Sequence, residues 1–141
     1  MKVDACDVNA YDATPAQTGF GFGIHHVQLA MPAGGEDECR RFYVDLVGLT
    51  EVQKPQAMVA RGGLWVRADA LEIHLGVESD FRPQKKAHPG IRVADPTALD
   101  ALAERLTAHG IAIEWNDDFP GMRRFHTSDN NGNRLEFLTA L

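Results

Sequence analysis

From Ile24 onward the chain alternates. Val27 and Leu29 are apolar while His26, Gln28 and Ala30 are not, the period of a strand with one face in a core and one outside it. Pro32, Ala33, Gly34 and Gly35 break that pattern, and Cys39, Phe42, Tyr43 and Leu46 then recur at helical spacing. Glu36 and Asp37 suit the positive end of such a helix, and Gly48 is a good stop. Short apolar runs at 49–53, 57–60, 64–67 and 71–77, separated by Pro55, Gly62-Gly63 and Asp69, read as antiparallel strands. A polar stretch, 78–87, follows. The order then repeats: a strand at 88–93, a helix opened by an Asp95 cap and Pro96, and an apolar helix face of Leu99, Leu102, Ala103 and Leu106 closed by Gly110. Strands at 111–115, 123–127 and 134–139 complete it, the last two joined by a turn through Asp129, Asn130, Asn131, Gly132 and Asn133. Residues 1–23 carry no sustained period and read as a leader that docks only near its end, at Phe20 and Phe22.

The repetition has a fixed offset. His26 to His88, Gly48 to Gly110 and His74 to Glu136 each span 62 residues. The helix interiors depart from it, since Phe42 and Leu46 align with Leu102 and Leu106 at an offset of 60, so the second helix is approached differently. The expected fold is α+β: two βαβββ modules, 24–77 and 88–141, joined by the linker 78–87 and forming a cupped, mostly antiparallel sheet around a metal site.

Composition narrows the setting. At 141 residues the chain buries a core without staples, and its two cysteines, Cys6 and Cys39, read as free thiols of a reducing cytoplasm. No run approaches a membrane span. With 20 acidic against 14 basic residues, a net charge of −6 and no basic cluster longer than a pair, a nucleic-acid partner is excluded.

Four residues carry the candidate chemistry. His26, His74, His88 and Glu136 each sit on the polar face of their own strand, at the first and last strands of the two modules, and each pair within a module is 48 residues apart. A polar face usually meets only water. The coincidence of four ligand-type side chains at symmetric positions points instead to a divalent metal. Three imidazoles and a carboxylate suit Zn, Fe(II), Ni or Mn better than Ca or Mg. Gln28 and Arg92 share these faces and are candidates for orienting ligands or contacting substrate. His126 and Trp65, on central strands, are candidates for the cup lining, and the 117–122 loop for a lid. His25 points away from His26 by strand parity, and His109 reads as a dipole partner at a helix end.

The stretches IHHVQL (24–29), FY to LVGL (42–49), LEIHL (71–75) and NGNRLEF (131–137) resemble the vicinal oxygen chelate superfamily, which includes glyoxalase I, methylmalonyl-CoA epimerase, fosfomycin-resistance enzymes, extradiol dioxygenases and bleomycin-binding proteins. The resemblance covers residues 24–139 and implies a homodimer. Its modules pair within one chain or across two; if across, His26 and His74 meet His88 and Glu136 of the partner. It also implies metal ligands at His26, His74, His88 and Glu136 and a small substrate that chelates through two adjacent oxygens.

Within that resemblance His74 departs from the Glu or Gln commonest in isomerases. Three activities follow. In a glyoxalase-like lyase or isomerase, Glu136 and His74 are catalytic as well as ligating. In an Fe(II) extradiol-type dioxygenase, His26, His88 and Glu136 hold the metal and His74 moves protons. The third is a metal-free drug-binding protein, against which the four intact ligand positions count.

Overall fold

The computed structural model describes residues 14–141, so Cys6 and the first part of the leader lie outside the described residues. In chain order the elements are β1 (Val27–Met31), α1 (Glu36–Cys39) running directly into a π-helical segment (Arg40–Leu46), β2 (Thr50–Val52), α2 (Gln56–Val59), β3 (Leu64–Ala68), β4 (Leu71–Val77), β5 (Gly90–Arg92), α3 (Pro96–Ala108), β6 (Glu114–Asn116), β7 (Met122–Ser128) and β8 (Arg134–Ala140). They form two four-stranded sheets of the same topology, β1-β4-β3-β2 and β5-β8-β7-β6. Only β1 with β4 and β5 with β8 are parallel; the hairpins are antiparallel. Two βαβββ modules of the expected fold class are thus present.

Strand parity divides each sheet. Ile73 and Leu75 of β4, and Leu135 and Phe137 of β8, are buried in one cluster with Cys39, Phe42, Tyr43 and Leu46 from the first helix and Leu99, Ala103 and Leu106 from α3. His74 and Glu136, one residue out of phase, point to the opposite faces.

Polar bonds link the two halves. Tyr43 donates to Asp129 Oδ2 (2.6 Å), Asn133 Nδ2 donates to the Ala30 carbonyl (2.8 Å), and Arg105 reaches the Leu46 carbonyl (3.4 Å). Asp129 Oδ1 accepts the backbone N–H groups of Asn131 and Asn133, so the same carboxylate shapes the turn before β8 and ties it to the first helix. Burial, with the Asp129 charge added, pushes the Tyr43 phenol well above its ordinary pKa, which keeps it a donor.

Several expected boundaries shift. Residues 57–60 are not a strand: Met58 N–H bonds back to the Pro55 carbonyl (2.8 Å), opening the α2 turn, and exposed Ala57 and Val59 offer no face to a sheet. β5 starts at Gly90 rather than His88 because Pro89 has no N–H for the ladder. β6 starts at Glu114 rather than 111, the Ala112 carbonyl being taken by the Thr127 hydroxyl (2.8 Å). The helices differ in kind. Val47 N–H bonds to Phe42 O and Leu49 N–H to Tyr43 O in the first, whereas α3 is an α-helix with Asp95 capping Ala98 N–H (2.8 Å). α3 continues two residues past Leu106, while the first helix stops at Leu46. That accounts for an offset of 60 inside the helices and 62 at the glycines that end them.

Candidate metal centre

Glu136 lies mid-strand in β8, opposite His126 of β7 and Gly90 of β5. Arg124, one pleat along β7 on the same face, donates to Glu136 Oε1 at 2.6 Å. Asn116 of β6 holds that guanidinium from behind (3.2 and 3.0 Å to Nε and Nη2). Burial opposes ionisation of Glu136, but the Arg124 bond and charge, then His126, outweigh it and hold the carboxyl below its ordinary value. Oε2 is left facing His88 Nε2 at 3.4 Å.

His88, just before β5, is fixed by its other nitrogen, since Nδ1 lies 2.7 Å from the Lys86 carbonyl. A carbonyl only accepts, so Nδ1 carries a proton and Nε2 is the nitrogen turned toward Glu136. An imidazole nitrogen and a carboxylate oxygen thus face each other, an arrangement that takes a cation or a proton between them. Both are oriented by outer partners in the manner of metal ligands. His126 Nε2 stands 3.8 Å from Glu136 Oε1, its ring edge-on to that of His88. Burial lowers the His126 pKa, and the Arg134 charge adds to it. Among the described residues, His88, His126 and Glu136 form the one group of three or more His, Cys, Asp or Glu side chains whose ligand atoms all lie within 4.8 Å.

His26 and His74 are elsewhere. They stack on each other (centroids 3.9 Å, 16°), and Trp65 covers the other face of His74 (3.8 Å, 2°). His74 Nε2 donates to Glu72 Oε1 at 3.0 Å, which lowers the Glu72 pKa and leaves Nδ1 as the ring nitrogen outside that bond. The four sequence candidates are therefore placed as two pairs in equivalent positions of two sheets, and within one chain the first pair does not enter the group of the second.

His126 and Trp65 occupy matching registers, opposite Glu136 and His74, and both line the polar faces. The alternation of β7 carried that signal for His126. His25 is not turned away from His26: β1 begins only at Val27, and the two Nδ1 atoms are 3.0 Å apart, so His25 orients His26. Gln28 lies across Gly76, where a Cβ would meet its Nε2 at 2.3 Å, and Arg92 is exposed on the second polar face. In the 117–122 loop Phe119 sits under Arg124 (5.5 Å), bracing the arginine that holds Glu136. His109 donates to the Arg105 carbonyl at the end of α3 (2.8 Å), as a dipole partner would.

Among known structures, a glyoxalase family protein from Bacillus anthracis is 40% identical, covering 85% of this chain and 96% of that one at a TM-score of 0.80. A lactoylglutathione lyase from Agrobacterium tumefaciens shares the fold at 18% identity (79% and 90% covered, TM-score 0.60). So does an antibiotic binding protein from Streptomyces sp. CB03234, at 23% identity (85% and 99%, TM-score 0.63). No curated protein sequence matches the chain. The sequence profile that does match, over residues 23–137, spans both modules and every candidate ligand, and the chain belongs to the Glyoxalase/Bleomycin resistance protein/Dioxygenase superfamily.

Proposed function

We propose that the protein is a glyoxalase-like, divalent-metal-dependent lyase or isomerase acting on a small substrate that chelates the metal through adjacent oxygens. The observation that carries this reading is the pair of facing ligand atoms, His88 Nε2 and Glu136 Oε2, each side chain being held by a partner at its other polar atom. His88 and Glu136 come from one chain. His26 and His74, stacked on the corresponding face of the other sheet, complete the set when a second copy lays that face over the first, which makes the working unit a homodimer. A bound divalent ion supplies Lewis acidity toward a carbonyl or enediolate oxygen. His126, kept neutral by burial, accepts a proton from a substrate carbon held nearby, and Arg124 keeps Glu136 ionised. A reducing, cytoplasmic setting fits the free, buried Cys39, and among the described residues no helix is long and apolar enough to cross a membrane.

A second reading, an Fe(II) extradiol-type dioxygenase, is favoured by one specific feature: two imidazoles and one carboxylate in a single cluster. Metal analysis of purified protein and oxygen uptake on catechols separate the two. Zn, Ni or Mn without oxygen uptake supports the lyase or isomerase; iron with uptake supports the dioxygenase. Protein that holds no metal, and does not rise in melting temperature when metal is added, leaves the drug-binding role instead.

A further inference from the structure

Beyond the His88, His126 and Glu136 cluster, the polar face of the second sheet opens into a cavity of about 770 Å³ whose lining includes Lys85, Glu114, His126, Ser128 and Arg134. Arg134 shares strand and face with Glu136, two residues away, so the two side chains leave β8 about 7 Å apart. Opposite it is Ser128.

The charges of this region are unusual for the chain. Arg134 is half-buried, yet neither its side chain nor that of Lys85 is hydrogen-bonded or ion-paired among the described residues. Among the described residues Glu114 is the only carboxylate lining the cavity, against two cations, in a chain of net charge −6. An unpaired, half-buried guanidinium is costly unless something anionic meets it, and its planar fork fits two oxygens of one group.

We infer that the cavity binds an anionic oxyacid group, a carboxylate or phosphate, on Arg134 and Lys85, and that the substrate carries this group on the Arg134 side of its metal-chelating oxygens. The link to the substrate rests on the metal reading above; the anion site itself does not. His126 belongs both to the cluster and to the cavity lining, so a molecule spanning the two passes beside that imidazole.

The test has separate arms. Full-length protein stripped of metal is titrated calorimetrically with succinate, succinamide and inorganic phosphate, alongside R134Q, R134K and K85Q, whose folding is checked by melting temperature. Succinate or phosphate should bind the native protein. R134Q should weaken that binding about tenfold, with partial recovery in R134K, and uncharged succinamide should bind at least about tenfold more weakly than succinate. Zn and Mn titrations of R134Q should match the native protein within about twofold.

Equal binding of succinate by native protein and R134Q overturns the proposal, as does equal binding of succinate and succinamide. So does dissociation of a dimer in R134Q, measured by sedimentation, because the cations would then be holding a second copy. Absence of metal binding with Arg134-dependent anion binding intact removes the metal reading and leaves the anion site standing.

Discussion

At Glu136 one carboxylate divides its two oxygens between two jobs. Arg124 takes Oε1, and Oε2 faces His88. Arg124→Gln should therefore weaken metal binding about tenfold without unfolding the protein, read by calorimetry with Zn or Mn. Unchanged affinity would show that the arginine does not orient the ligand. The neighbouring His126 makes a pH prediction. Its folded pKa is depressed, first by burial and then by the Arg134 charge, so the unfolded chain takes up the proton more readily. Its contribution to stability is complete above about pH 6.5 and is lost as pH falls from there through the depressed folded value. Denaturant melts at pH 7.5 and 5.5 should show a smaller loss for His126→Gln than for the native protein; identical losses would contradict the burial argument. Tyr43→Phe removes the donor to the buried Asp129 carboxylate and should cost about 2 kcal/mol in the same melts, far more than an exposed Tyr→Phe change.

Among the elements, the β3–β4 hairpin shows how tightly backbone is set behind the first polar face. Gly63 precedes β3 with φ of 78°, and a Cβ there would come within 2.0 Å of the Leu75 carbonyl oxygen. Its N–H is also held by Glu36 Oε1 at 3.0 Å, the bond that most lowers the Glu36 pKa. Gly63→Ala should cost on the order of 2 kcal/mol or more, whereas Gly121→Ala, with a similar φ of 76° but open space around it, should cost about 1. A chemical melt in which the two variants match would show that backbone conformation alone decides the cost.

The same elements show what pattern discloses. β4, β7 and β8 are seven residues long and alternate around His74, His126 and Glu136, so their ends and the faces of those residues are legible to within a residue or two. The 57–60 run is four residues long, too short for period to distinguish a strand from one helical turn, and Pro55 decided it through local bonding. His25 was misread because parity holds only inside a strand. The two-residue mismatch between repeats marks the earlier stop of the first helix, while its π-helical bonding over residues 40–46 has no counterpart in the apolar pattern.

On the scale of the whole molecule, the helices and apolar faces pack into one core, and the polar face of each sheet is left for chemistry. The symmetry of His26, His74, His88 and Glu136 was visible as spacing, but spacing does not say which pair faces which. That depends on how the modules are packed, and it is fixed by contacts such as Tyr43 with Asp129 and Asn133 with Ala30, in which neither residue is a candidate ligand. If a second copy closes the site, mixing the double variant H26A/H74A with H88A/E136Q should restore about a quarter to a half of the native metal sites, while each alone binds essentially none. No recovery on mixing, with H26A/H74A alone binding metal as the native chain does, would place the site within one chain.

The most direct measurement of the central claim is calorimetric titration of the stripped protein with Zn or Mn, comparing the native chain with Glu136→Gln. The account predicts one ion per chain for the native protein and a loss of at least about a hundredfold in affinity for the variant, with secondary structure and oligomeric state unchanged. Native-like metal binding by Glu136→Gln, or none by the native protein, would contradict it.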